Sequence, residues 1–306
     1  MALNKRDNSP VEYLRENPPF FNDKLSSVEM IVQTLYISNW GRHNRNGDCC
    51  GELFAQERII KRKTAKIKHN HIDIAKGLFP KKHKIFEEIE EFFYDIESFL
   101  RRNKSPNYNF VYDQVVSCGE MISSKILSEY LIEEKLANTW LDARDYIKTD
   151  ASNREGNVDW KLTEENVKKL NAKDSFVTQG FIGSDDNNFT VTLGREGSDY
   201  SAAIFAYCLN AEQMTIWKDV PGVMTGDPRK FKDVELLDNI SYEEAIEMAY
   251  YGASVIHPKT LQPLKQKSIP FFVKSFVEDD KPGTKVSGDE NYPRKESYIL
   301  KEIKKP

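Results

Sequence analysis

"TLGREGSDYSAA", residues 192–203, decides how the chain is read. A β-branched lead-in ends at Gly194, a second glycine follows at Gly197, and small residues then run on into "AIFAYCL", as in a helix packed closely on a sheet. The stretch is either a turn that happens to start a helix or a place where an anionic phosphate rests on backbone amides. In the second reading Gly194 and Gly197 let the main chain approach a ligand, Arg195 offers a planar fork for a carboxylate or phosphate, and Ser198 or Asp199 caps the helix.

The surroundings favour a sheet with helices between its strands. "NTWLDA" (138–143), "SFVTQGFIG" (175–183), "QMTIWKDV" (213–220) and "IPFFVKSF" (269–276) are short β-branched and aromatic runs bounded by turn residues, as buried strands are. Between them lie helical patterns. Ile85, Ile89, Phe92, Phe93, Ile96 and Phe99 recur at three and four residues, and Val111, Val115, Cys118, Ile122, Ile126 and Tyr130 form a second stripe. "ISYEEAIEMAYYGA" opens on Ser241 with Glu244 three residues later, a capping box, and "KTLQPLKQK" reads as a last helix. This alternation predicts an α/β fold, a three-layer α/β/α sandwich around a mostly parallel sheet. In such folds ligands collect beyond the carboxyl ends of strands. Besides the glycine loop, two loops qualify: "WKDVPGVMTGDPRKF", with Asp219, Gly222, Gly226, Asp227 and Arg229, and "YYGASVIHPKT", with Lys259.

Bulk properties narrow the function. A net charge of -4 over 306 residues lacks the cationic excess of a nucleic-acid binder. Cys49, Cys50, Cys118 and Cys208 have neither metal-ligand nor disulfide-framework spacing. No apolar run is long enough for a bilayer, and "MALNKRDNSPVEYL" lacks the apolar centre of a signal peptide, so a cytoplasmic protein with no membrane partner is expected. Residues 58–84 carry ten Lys or Arg against Asp73 alone. Without interleaved aromatics this reads as a solvated basic face or an irregular leader rather than a nucleic-acid arm. His69 and His71 would share one face of a strand, but no third ligand stands near them, and no metal site is assigned.

Five motifs in order, "VTQGFIG", "TLGREGSDYSAA", "IWKDVPGVMTGDPR", "YYGASVIHPKTLQP" and "PGT", resemble the catalytic core of aspartokinase, within the amino acid kinase superfamily. The similarity runs from about His71 to about Ser287 and includes "FVYDQVVSCGEMISSKI" and "NTWLDARDYIKTD". It implies transfer of the γ-phosphoryl group of ATP, with Mg2+, to the side-chain carboxylate of L-aspartate, the first step towards lysine, threonine and methionine. By the same resemblance Glu120 holds the amino group of aspartate, Arg195 its α-carboxylate, and Ser198 adds a hydrogen bond. Asp199 orients the transferring group, while Gly194, Gly197, Lys218, Asp219, Asp227, Arg229 and Lys259 line the nucleotide. A homodimer is implied, since related kinases commonly pair through their core helices. Glutamate and acetylglutamate are rival acceptors, but "VTQGFIG" and the paired helices over 85–135 point to aspartate.

The resemblance divides the chain into an unmatched, irregular segment at 1–66, a kinase-like core at 67–288, and a tail at 289–306 resembling the linker to regulatory ACT domains. Those domains and their allosteric inhibition are expected to be absent. Three positions depart from the family. Nowhere in the sequence is there a Lys-Phe-Gly-Gly loop; Glu196 stands where many members have glycine; Ser254 replaces a lysine, for which Lys259 is the substitute. A phosphate-facing cation contributes several kcal/mol to such a transition state, so its loss costs about a thousandfold in rate. An impaired kinase is one expectation. The alternative is a catalytically dead nucleotide- or amino-acid-binding remnant, or the product of a disrupted aspartokinase gene.

Overall fold

The computed structural model describes residues 49–171, 173–218, 220–226, 231, 233–250, 256–278 and 280–289, with side chains from residue 61 onward except 63. They fall into two compact units. The first holds the described chain up to Leu162 together with Lys173–Gly194; the second holds Thr163–Ala172 and the described chain from Arg195 on.

Three long helices open the first unit: α1 (Cys49–Leu78), α2 (Ile85–Arg102) and α3 (Tyr108–Glu133). In α2 the predicted stripe is realised, with Ile85, Ile89, Phe93 and Ile96 buried, Glu87 and Glu88 in the first turn and Arg101 and Arg102 in the last, where they complement the helix dipole. Asn107 starts α3 by accepting from the amides of Asn109 and Phe110. The single apolar stripe expected for α3 proves too narrow. Val111, Tyr112, Asp113, Val115, Val116 and Ser117 are all buried, so most of its circumference is covered over the first turns.

Of the segment 1–66 expected to be irregular, residues 49–66 are helical, and residues 1–48 lie outside the described residues. The period was hidden because polar residues carry it. Thr64, Ile67, His71 and Ala75 are buried at spacings of three, four and four, while Lys61, Arg62, Lys66 and Lys76 stay exposed, the solvated basic face foreseen from composition. His69 and His71 therefore lie on a helix, not a strand, and point apart: His69 Nε2 pairs with Asp73 at 3.0 Å on the surface, whereas the His71 ring is buried with Nδ1 2.8 Å from the Ile67 carbonyl. Among the described residues no group of three metal-ligating side chains forms.

The unit continues with β1 (Thr139–Leu141) and the short α4 (Ala143–Tyr146), and then enters α5 (Trp160–Val167), whose residues from Thr163 on belong to the second unit. β2 (Phe176–Thr178) pairs in parallel with β1. β3 (Ile182–Ser184) and β4 (Thr190–Thr192) are antiparallel. "SFVTQGFIG", read as one strand, is broken between β2 and β3 at Phe181, whose φ is 72°. The break places Gln179 inside, where its amide oxygen accepts from Ala143 N at 2.8 Å and its nitrogen donates to Ser124 Oγ at 2.8 Å and the Leu141 carbonyl at 3.1 Å.

The second unit comprises α6 (Gly197–Cys208), β5 (Met214–Lys218), β6 (Asn239–Ser241), α7 (Tyr242–Tyr250), α8 (Pro258–Gln266), β7 (Phe271–Ser275) and β8 (Thr284–Ser287). Its four-stranded sheet has the order β5-β7-β8-β6, with β5/β7 and β6/β8 parallel and β7/β8 antiparallel. The predicted capping box forms reciprocally: Ser241 N donates to Glu244 Oε2 at 2.8 Å and Glu244 N to Ser241 Oγ at 3.1 Å. Ile216, Ile240, Leu261, Leu264, Phe271 and Val286 fill the core between sheet and helices. The α/β class thus stands, and the described strands form one parallel pair, one antiparallel pair and one mixed four-stranded sheet.

Candidate active site

The glycine loop begins where β4 ends. Thr192 and Leu193 are buried; the Thr192 carbonyl accepts from Gly156 N at 3.0 Å and Leu193 N donates to Phe181 O at 2.8 Å, which fixes the end of the strand. Gly194 then turns with φ +82°, and a Cβ there would stand 3.2 Å from the Arg154 carbonyl oxygen, so both conformation and space select glycine. Glu196 follows in the left-handed region (φ 53°) as the residue before α6, without a side-chain cap bond. The expectation that Ser198 or Asp199 caps the helix is corrected: the left-handed Glu196 starts α6 at Gly197, so both fall inside its first turn. The amides of Gly197, Ser198 and Asp199 precede the first intrahelical acceptor pair, Tyr200 N to Glu196 O at 3.2 Å. Amides at such a helix start have no helical carbonyl to meet, and they favour anions.

Lys218, the last residue of β5, closes on this turn. Its Nζ lies 3.0 Å from Asp199 Oδ2, and the two side chains are only 22% and 18% exposed. The pairing of β5 with β7 sets the height of Lys218, whose carbonyl also accepts from Phe276 N at 3.0 Å. Lys259 reaches the neighbouring residue of α6. Pro258 starts α8 behind the N-cap His257, which accepts from Lys259 N at 3.2 Å, and Lys259 Nζ stands 4.8 Å from the centre of the Tyr200 ring. Tyr200 is buried, which pushes its phenol up to about 12 and keeps it neutral. Arg195 is exposed on the turn before α6, and Ser198 is exposed in the first turn of that helix. Asp219, Asp227 and Arg229 lie outside the described residues. The stretch between them is anchored: Val223 N donates to Thr284 Oγ1 at 2.8 Å, and a Cβ on Gly222 (φ +151°) would stand 2.5 Å from that oxygen.

Glu120 belongs to the first unit, partly buried near the middle of α3. Two residues on that helix went unnoticed in the sequence. Asp113, wholly buried, accepts from Thr192 Oγ1 at 2.7 Å, Arg154 N at 2.9 Å and Asn153 Nδ2 at 3.1 Å. Burial pushes its carboxyl above the ordinary range against these bonds, which lower it. Gln114 completes a two-point grip on β4, donating to Thr190 O at 2.7 Å and accepting from Thr190 N at 3.2 Å. An acid and an amide within an otherwise apolar, buried run were the available signal.

The residues present fit a nucleotide's phosphates, with a glycine-bounded helix start and two lysines beside it. For a divalent cation the loop offers the carboxylates of Glu196 and Asp199. Glu196 Oε2 is buried with no hydrogen-bond partner among the described residues, in keeping with a Mg2+ held by one or two carboxylates plus substrate phosphates.

The model of the amino acid kinase family matches residues 47–275. Over 214 residues the chain is 36% identical to the lysine-sensitive aspartokinase 3 of Escherichia coli (strain K12), covering 68% of this chain and 47% of that protein. Over 193 residues it is 37% identical to the chloroplastic bifunctional aspartokinase/homoserine dehydrogenase 2 of Arabidopsis thaliana, covering 62% of this chain and 21% of that one. Its fold matches the crystal structure of E. coli aspartokinase III in complex with aspartate and ADP with a TM-score of 0.66 and 32% identity, covering 86% of this chain and 56% of the other. The chain thus spans about half the length of the bacterial relative and a fifth of the plant one.

Proposed function

The chain belongs to the amino acid kinase family, and from that premise we propose that it phosphorylates the side-chain carboxylate of L-aspartate with ATP. The observation that carries the proposal is the Asp199–Lys218 pair at the first turn of α6, beside amides suited to an anion. A carboxylate oxygen of aspartate forms a bond to the γ-phosphorus while the bond from that phosphorus to the β-phosphate bridging oxygen breaks, giving aspartyl phosphate and ADP. No covalent enzyme intermediate is needed; the work is positioning and charge stabilisation.

Each residue then has a task. Glu120 binds the amino group of aspartate, Arg195 its α-carboxylate, and Ser198 adds a hydrogen bond. Gly194 and Gly197 leave room for the phosphates over the α6 amides. Lys218 and Lys259 offset phosphate charge, with Asp219, Asp227 and Arg229 lining the nucleotide. Asp199 holds Lys218 in place, so that the cation faces the transferring group in one orientation. Glu196 and Asp199 would hold a Mg2+, which would supply further neutralisation of phosphate charge. The product feeds amino-acid biosynthesis towards lysine, threonine and methionine, in a cytoplasmic homodimer. No described helix is long and apolar enough to cross a membrane.

A second reading is favoured by one observation: no two glycines are adjacent anywhere in the sequence, so the Lys-Phe-Gly-Gly loop of the family is missing. In that reading the chain binds nucleotide without turnover. ADP release measured with aspartate, with glutamate and with no acceptor separates the two. A rate at least tenfold higher with aspartate supports the kinase. Equal rates in all three, with Mg2+·ATP still bound in a calorimetric titration, support the binding protein.

A further inference from the structure

Resting on the reading of residues 194–199 as the phosphate loop, we propose that Asp113 is a positioning residue: a buried carboxylate on α3 that clamps the end of β4 to the 153–156 turn and so sets where the glycine loop starts. Glu120 lies seven residues further along α3, about two turns or ~10 Å on the same helix face. One rigid helix therefore carries both the proposed amino-group ligand and the clamp.

The geometry is specific. Asp113 Oδ1 accepts from Thr192 Oγ1, two residues before Gly194, while Oδ2 accepts from the Arg154 amide and Asn153 Nδ2. The clamped turn touches the loop again from the other side. Gly156 N donates to Thr192 O at 3.0 Å, and the Arg154 carbonyl is the atom that a Cβ at position 194 would meet at 3.2 Å. Arg154 is itself held in the left-handed region (φ 72°), with its guanidinium 4.5 Å from the centre of the Tyr112 ring, next to Asp113 on α3. Such a backbone conformation persists only when its surroundings over-determine it. A carboxylate that is acceptor-only and shared among three donors does that; an amide of the same shape must turn its NH2 to the Thr192 hydroxyl, which then accepts, and it meets the Arg154 and Asn153 donors without the charge that strengthens those bonds.

The test uses the whole chain with D113N, T192V and T192S. Three readings are taken: thermal midpoint, Mg2+·ATP affinity by calorimetry, and deuterium uptake at Arg154 and Gly156 well below the midpoint. D113N and T192V should weaken nucleotide binding at least tenfold and speed uptake at both amides at least tenfold. T192S, which keeps the hydroxyl, should stay within twofold of the parent in both. In turnover with aspartate, KM for ATP should rise while kcat stays within threefold. A lowered midpoint with unchanged affinity and uptake would make Asp113 a merely structural acid and overturn the inference. A parent chain that binds no nucleotide would instead overturn the phosphate-loop reading on which the inference rests, and unchanged uptake in D113N would then sink the clamp separately.

Discussion

Lys218 Nζ lies 3.0 Å from Asp199 Oδ2, joining the last residue of β5 to the first turn of α6. Each is mostly shielded from solvent, but neither is deeply buried, so the pair contributes less than about 1 kcal/mol to stability. Its value is in orientation. Lys218→Met and Asp199→Asn should each lower kcat/KM about 100-fold or more while moving the thermal midpoint by no more than about 2 °C. Paired steady-state kinetics and calorimetric melting decide this, and a kcat/KM within tenfold of the parent in both variants would remove the pair from the chemistry.

Gly194→Ala should be costly out of proportion to the single methyl. The φ of +82° places the new Cβ in the left-handed region, at about 1–2 kcal/mol, and the Arg154 carbonyl oxygen at 3.2 Å adds crowding. A fall of several degrees in the thermal midpoint is expected, together with weaker Mg2+·ATP binding. An alanine variant that melts with the parent would show that the turn relaxes freely.

Gly119→Ala should act in the opposite direction. The residue sits in the interior of α3, where glycine is less favourable than alanine by about 1 kcal/mol, and its new Cβ would meet nothing within 4 Å. It borders a cavity of about 20 Å3, room for one water, lined also by Ile67, His71, Phe93 and Cys118. Denaturant unfolding should show a gain of about 0.5–1 kcal/mol; a loss would mean that the space is not available to a methyl.

Asp150 predicts part of the acid response. Desolvation raises its carboxyl, but bonds from Asn157 and Ser152 outweigh that and bring it down to about 2 from 3.8. A depressed folded value means that the contribution is present above the unfolded pKa and lost as pH falls through the folded one. Stability should therefore drop between about pH 4 and pH 2, and Asp150→Asn should flatten that part of the profile. Melting curves across this range test it, and identical slopes in parent and variant would assign the acid limb to other groups.

What could be read from the sequence depended on who carried the pattern. Where apolar residues marked the period, as Ile85, Ile89, Phe93 and Ile96 do in α2, and where the Ser241–Glu244 box sat at a helix start, the elements emerged as expected. Where polar residues held the buried positions, as Thr64 and His71 do in α1, the helix was invisible. The start of α6 lies two or three residues before the expected Ser198 or Asp199 cap because a left-handed glutamate, an unusual conformer for a non-glycine, takes the capping position. Asp113 was passed over for a related reason: a lone acid inside a helix reads as surface until its three donors, 40, 41 and 79 residues away, are seen.

Thr284 touches no proposed substrate, yet its hydroxyl sits beneath the Gly222–Val223 backbone, 61 positions upstream of it. The three-letter "PGT" near the far end of the matched motifs is thus a keystone rather than a reagent. Its vocabulary is steric: a Cβ at 222 would also meet Leu236 Cδ1 at 2.8 Å and the Thr284 amide nitrogen at 3.1 Å, so trimming position 284 alone opens no room there.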